Sequence, residues 1–169
     1  IYNFLKREYM ERFYLAVSRK FEGCESLPSI LEQLEQQMEE KFYHPDKHIF
    51  TNEDDTLGLS VGEIQDSQIM QAISEDITRK DMEQLKKHFE CLKEKYHDNT
   101  QYSAMYIKFV FSNVIQELFQ ENQFSGERKL EQEIERLYNC GNIKEILSVT
   151  EENIKEYELF LERTMNNSR

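Results

Sequence analysis

Apolar residues recur along this chain at helical rather than strand spacing. Over the first twenty-one positions, Leu5, Tyr9, Phe13, Val17 and Phe21 return at every fourth residue, with Tyr2 and Ala16 beside them. Four residues overshoot a helical turn by about 40°, so the stripe walks around a helix and predicts contacts with more than one neighbour. Gly23 is the expected stop, and Ser26 with Pro28 the expected restart. Leu27, Leu31, Leu34, Met38 and Phe42 predict a second amphipathic helix backed by Glu32, Glu35, Glu39 and Glu40. Pro45 ends it. The pattern then dissolves over residues 43–61, an irregular loop in which only Ile49–Phe50 and Leu57–Leu59 have the character of a short hairpin.

Regularity returns with Ile69, Met70, Ile73 and Ile77, the inner face of a short helix over about 66–76. Thr78-x-x-Asp81 has the form of a capping box with Asp in place of Glu, opening a helix in which Met82, Leu85, Phe89, Leu92 and Tyr96 alternate three and four apart. Asp98-Asn99 closes it. The most apolar run follows, QYSAMYIKFVFSNVIQELFQEN from Gln101 to Asn122. As a helix over about 100–122 it keeps only a narrow polar stripe through Lys108, Ser112 and Gln116, so it belongs at the centre of a bundle. Lys108 interrupts the run and leaves it short of a membrane span. Leu130, Ile134 and Leu137 form a seam over 127–138, with Gly141 suited to the position after a helix. Asn142 is the expected cap of a short turn over 143–148, and Thr150 that of a last helix, 151–169, with Ile154, Tyr157, Leu161 and Met165 as its apolar line. Short connections between successive helices predict an all-α fold, an antiparallel bundle of about seven or eight helices in a single domain over 1–169.

Composition agrees, since five glycines, two prolines and no tryptophan in 169 residues favour helices over sheets. The formal charge of −12 repels phosphate backbones and anionic lipid, so neither direct nucleic-acid contact nor a membrane is expected. Cys24, Cys91 and Cys140 are far apart and odd in number, which suggests neither a disulfide framework nor a zinc knuckle and fits a reducing cytoplasm. The chain opens on Ile1 without Met and closes on Arg169 without a helix stop, the expected edges of a segment from a longer protein.

Candidate chemistry is sparse. Gly58-Leu59-Ser60-Val61-Gly62 matches the nucleophile elbow G-x-S-x-G, but an elbow joins a buried strand to a helix, and TNEDDT over 51–56 is no such strand. His44, Asp46 and His48 are metal-ligand types, yet Pro45 keeps the histidines off one helical face. His88 and His97 sit on or at the end of a helix, where neither requires a catalytic role. Glu39–Glu40 and Glu151–Glu152 are adjacent and point to different helical faces, unsuited to paired acid–base work. No catalytic, cofactor-binding or metal residue is assigned, and no enzyme is expected.

Glu127-Arg128-Lys129-Leu130, Glu133-Ile134-Glu135-Arg136-Leu137-Tyr138, Ile143-x-x-Ile146 and the final helix through Met165 and Ser168-Arg169 carry a family resemblance. On these residues, 112–169 resembles the region just upstream of the DNA-binding module in response regulators of the AraC/YesN kind. Such a regulator joins an N-terminal phospho-receiver, through a linker, to a pair of C-terminal helix-turn-helix units. The resemblance implies a cytoplasmic linker domain adjoining a receiver and a DNA-binding module, with a contribution to homodimerisation. No phosphorylation site or base-reading residue is carried over, because no position matches those motifs. Leu5, Tyr9 and Phe13 at the input end and Tyr157, Leu161 and Met165 at the output end are the expected coupling or interface positions. The alternative is a ligand-sensing helical module with a small-molecule pocket beside the central helix.

Overall fold

The sequence pattern treats residues 1–169 as one domain. In the computed structural model, which describes residues 2–9, 13–51, 63–97, 99–120 and 129–167, backbone contacts gather in two units, Ile1–Gly58 and Leu59–Arg169. The class is all-α: seven helices among the described residues, with a single two-stranded sheet.

In the first unit the long opening helix does not form. Helix α1 spans Tyr2–Tyr9, and Leu15–Val17 is extended as strand β1. Leu15, Ala16 and Val17 pair in parallel with Ile49, Phe50 and Thr51 of β2 (Ile49–Thr51). Branched and aromatic side chains favour that extended state, and the four-residue repeat gives way because a partner strand satisfies the backbone. A parallel pair cannot close through a tight turn; it needs a crossover, here helix α2 (Leu27–Glu39), which packs on both strands. The expected hairpin is corrected accordingly: Ile49–Phe50 pairs with β1 across the crossover, while Leu57–Leu59 lies outside the described residues.

The face of α2 also differs from its expected stripe. Ile30 and Gln37 are buried and Leu34 and Met38 half-buried, whereas Leu27 and Leu31 are exposed. Phe42, Tyr43 and Phe50 complete this small core. His48 locks the lead into β1: its Nδ1–H donates to the Phe13 carbonyl at 3.0 Å, its ring lies 5.7 Å from both Phe13 and Tyr14, and Leu15 N–H donates to its carbonyl at 2.8 Å. Tyr14 donates from its hydroxyl to the Pro45 carbonyl at 3.0 Å. Gly23 stands at φ +82° with ψ 143°, a conformation that essentially only glycine adopts.

The second unit is a five-helix body: α3 (Glu63–Arg79), α4 (Met82–His97), α5 (Ala104–Gln120), α6 (Leu130–Tyr138) and α7 (Ile143–Asn167). Helix α5 touches α3, α6 and α7, and α4 packs on α3 and α7. The α4 rhythm holds, with Leu85, Phe89, Leu92 and Tyr96 all buried. On α5, Ile107, Phe111, Val114, Ile115 and Leu118 keep almost none of their surface in contact with solvent. Its polar stripe is displaced from the expected one. Ser112 is buried and donates from Oγ to the Phe109 carbonyl at 2.7 Å, while Met105 and Phe109 face outward.

Three caps differ from expectation. Thr78 belongs to the last turn of α3 and donates to the Ser74 carbonyl at 2.9 Å. Asp81 alone caps α4, its Oδ1 accepting from Gln84 N–H at 3.1 Å. Lys80, between them, takes φ +57°; its N–H reaches the Ile77 carbonyl at 3.0 Å and Asp81 N–H the Asp76 carbonyl at 2.9 Å, a Schellman closure with lysine in the left-handed seat. Helix α6 ends on Asn139 in right-handed geometry, and the positive-φ glycine among the described residues is Gly23, not Gly141. Asn142 does cap the following helix, accepting from Glu145 N–H at 3.0 Å. That helix continues to Asn167, so Thr150 caps nothing; it is buried within α7 and donates to the Ile146 carbonyl at 2.9 Å.

The two left-handed seats predict opposite responses. Gly23→Ala meets no neighbouring atom, so its cost is backbone strain alone, about 1–3 kcal/mol in chemical denaturation. Lys80→Gly relieves a similar strain, less the entropy glycine loses on folding, and raises stability by about 0.5–1 kcal/mol.

Candidate functional site

Helix α7 carries three of the expected positions and draws a gradient through them. Tyr157 is 1% exposed, Leu161 6% and Met165 65%. Residues 162–167 are exposed on every side of the helix. The inner part of α7 is therefore gripped by the bundle, and its last turns stand out from it.

Polar contacts fix the gripped part in register. The Tyr157 hydroxyl donates to the Ile77 carbonyl at 3.1 Å, tying α7 to the closure at the end of α3. Lys93 donates to Glu151 at 2.8 Å and Lys86 to Glu158 at 2.5 Å, two ion pairs seven residues apart on one face of α7. The hydrogen bond it donates to the Glu151 carboxylate holds the Lys93 ammonium above its ordinary pKa. A raised value keeps this contribution full below the ordinary lysine range and removes it only as pH climbs through the folded-state value. Both pairs are partly solvated and act more on register than on stability, at about 0–1 kcal/mol each.

Against α6 the contacts are buried. Asn153 donates through Nδ2 to Glu133 Oε2 at 2.9 Å and to the Val149 carbonyl at 2.8 Å, with both side chains almost fully enclosed. Arg136 bridges outward from Glu133 at 3.6 Å to Glu152 at 2.7 Å, and the Glu152 carboxylate holds its guanidinium above the ordinary value. Lys108, expected only as part of a polar stripe, reaches across from α5 and donates to the Tyr138 carbonyl at 2.7 Å. A cation at the C-terminal end of α6 meets both an orphan carbonyl and the negative end of the helix dipole.

Asp76 and His88 form a second arrangement missed in the sequence, with Nδ1 and Oδ2 2.5 Å apart. Asp76 is buried in the last turn of α3, where the dipole disfavours an anion, and the imidazole offsets that placement. An acidic residue at a helix end is the signal that calls for such a partner. The Ser74 hydroxyl, two residues before Asp76, donates to Glu117 at 3.0 Å. Among the described residues no three His, Cys, Asp or Glu gather as a metal site. His48 serves the β1 lead as described, and Ser60 with its flanking glycines lies outside the described residues.

At the input end the expected stripe is divided. Leu5 and Tyr9 lie on α1, half-buried and 57% exposed, while half-buried Phe13 belongs to the extended lead into β1. No helix of the described residues is long and apolar enough to cross a membrane. A depression of about 390 Å³ lies over Arg136, Asn139, Cys140, Glu145, Ser148 and Val149, outside α5. Two of its polar groups are engaged already, Arg136 with Glu152 and Glu145 Oε2 with Gly141 N–H at 2.6 Å. Burial, with the Glu145 carboxylate beside it, pushes the Cys140 thiol above its ordinary range.

Two outcomes follow. Iodoacetamide at pH 8 alkylates exposed Cys24 and Cys91 readily and Cys140 at least about tenfold more slowly, as mass spectrometry with and without denaturant will read. Tyr157→Phe lowers stability by about 1 kcal/mol through loss of the Ile77 bond, with no change in helix content by circular dichroism. No protein-family model, curated protein or solved structure matches this chain.

Proposed function

We propose that this chain is a non-catalytic helical linker of a two-component response regulator, passing the state of a receiver to a helix-turn-helix DNA-binding module in the cytoplasm and contributing to homodimerisation. The observation that carries the reading is the gradient along α7, from Tyr157 and Leu161 inside the bundle to Met165 outside it. A helix held at one end by packing and exposed at the other turns a small shift of its seat into a displacement of whatever follows it. The buried contacts to Ile77 and Glu133 define that seat, and the pairs with Lys86 and Lys93 its register. Transmission by this route requires two packings of α7 close in energy, each favoured by one state of the receiver. The input no longer rests on one long opening helix, because Leu15–Val17 is a strand.

The test is made in the full-length regulator. Thr164→Pro, in the exposed turns, removes the i−4 hydrogen bond and breaks the rod beyond the bundle. The expected result is an unchanged melting transition of the bundle with loss of phosphorylation-dependent DNA affinity by at least about tenfold, some 1.4 kcal/mol. Retention of the full phosphorylation response in this variant, with the fold intact, overturns the reading.

A further inference from the structure

The outer face of α5 is unlike every other helical surface described. Helices α1, α2, α3, α4, α6 and α7 each expose charged residues, as a chain with 33 acids and 21 basic residues would. Helix α5 exposes Met105, Phe109, Gln116 and Gln120 and no charged residue at all. Met105 is 64% and Phe109 54% exposed. Its two charges, Lys108 and Glu117, are half-buried and turned to neighbours within the unit, one to the Tyr138 carbonyl and one to the Ser74 hydroxyl. Along the helix, the exposed Met105, Phe109, Gln116 and Gln120 fall four, seven and four apart, which keeps them on one stripe of its surface.

We infer that this face packs against the same face of a second copy of the chain. Charge selects that occupant. A basic partner would be drawn to the acid-bearing faces elsewhere and would gain nothing from an uncharged stripe. A second copy brings its own charge of −12, and like charges placed opposite each other are costly. Its lowest-cost approach is along α5, which among the described helices is the one that exposes no acid. A two-fold axis parallel to the helices sets Phe109 against Phe109, where apolar area is buried, and Gln116 against Gln116, where each amide supplies both donor and acceptor to the other. An amide set against its own copy fixes register in the same way that a buried amide does in coiled coils.

Helix α5, at 17 residues, is roughly 25 Å long, so the contact falls at the small end of specific interfaces and the dimer is expected in the micromolar range. The inference deepens the dimerisation part of the regulatory reading, yet it rests on α5 alone and its test reads mass rather than DNA affinity. Either can fail without the other.

The experiment is light scattering and sedimentation on the 169-residue chain across about 1–200 µM, with melting curves for every variant. Gln116→Glu is nearly isosteric on an exposed position and sets two carboxylates against each other at the axis; the dissociation constant rises at least about tenfold, with recovery at high salt. Phe109→Glu gives the same loss more strongly. Gln68→Glu, which adds the same charge to an exposed position of α3, leaves the dimer as it was. A monomer throughout that range, or a dimer indifferent to both α5 substitutions, overturns the inference.

Discussion

The inner face of α5 is the constraint on which the second unit depends. Ile107, Phe111, Val114, Ile115 and Leu118 are enclosed by α3, α6 and α7, so α5 has no rotation or translation that keeps its neighbours packed. Close-packed interiors transmit displacement because they have no slack to absorb it. Phe111 also meets Phe89 edge-on at 6.2 Å and Tyr96 at 6.1 Å, which carries the same restriction into α4. The helices around α5 consequently behave as parts of one packed object, and any second state must repack several at once.

Within that object the polar contacts decide register rather than adhesion. Packing resists any displacement, and an ion pair or hydrogen bond adds a penalty specific to register, because a slide of one residue separates its partners. Lys93 with Glu151 and Lys86 with Glu158 repeat at one heptad along the α4–α7 seam and so reject a slide in either direction. Asn153 with Glu133 does the same between α6 and α7, in a buried setting where a misplaced partner would leave a carboxylate without its donor. Among the described residues the buried Asn153 Oδ1 atom finds no hydrogen-bond partner, so this contact gives up some stability for its placement.

How far all this could be read in the sequence depended on whether a segment's partners were local. Met82, Leu85, Phe89, Leu92 and Tyr96 were legible because a solvated helix against one core shows its period directly. The first seventeen residues misled for the opposite reason: their four-residue repeat is real, but the partner of Leu15–Val17 lies more than thirty residues away, and pairing with Ile49–Thr51 outweighs helical propensity. On α5 the polarity of a side chain did not predict its exposure. Ser112 is buried because its hydroxyl is satisfied by the backbone of its own helix, and Phe109 is exposed because the described residues of the unit leave it uncovered. Among the candidate positions, Tyr157 and Leu161 fell inside and Met165 outside on a single apolar line, since periodicity gives direction around a helix and says nothing of where along it the neighbours end.

The uninterrupted course of α7 shows why that last distinction matters. A threonine followed by two glutamates looks like a helix start, because its hydroxyl can cap one. Thr150 bonds backward to Ile146 instead, and once Asn142 and Glu145 have closed the true N-terminus there is no orphan amide at 150 left to cap. Propagation beyond a formed helix is inexpensive where nucleating a new one is not, so the chain continues to Asn167. Two short helices with a break near residue 150 would have let the exposed turns pivot independently of the core. A single helix of 25 residues has no such joint, and the direction of its outer turns follows from how the residues from Ile143 to Leu161 pack.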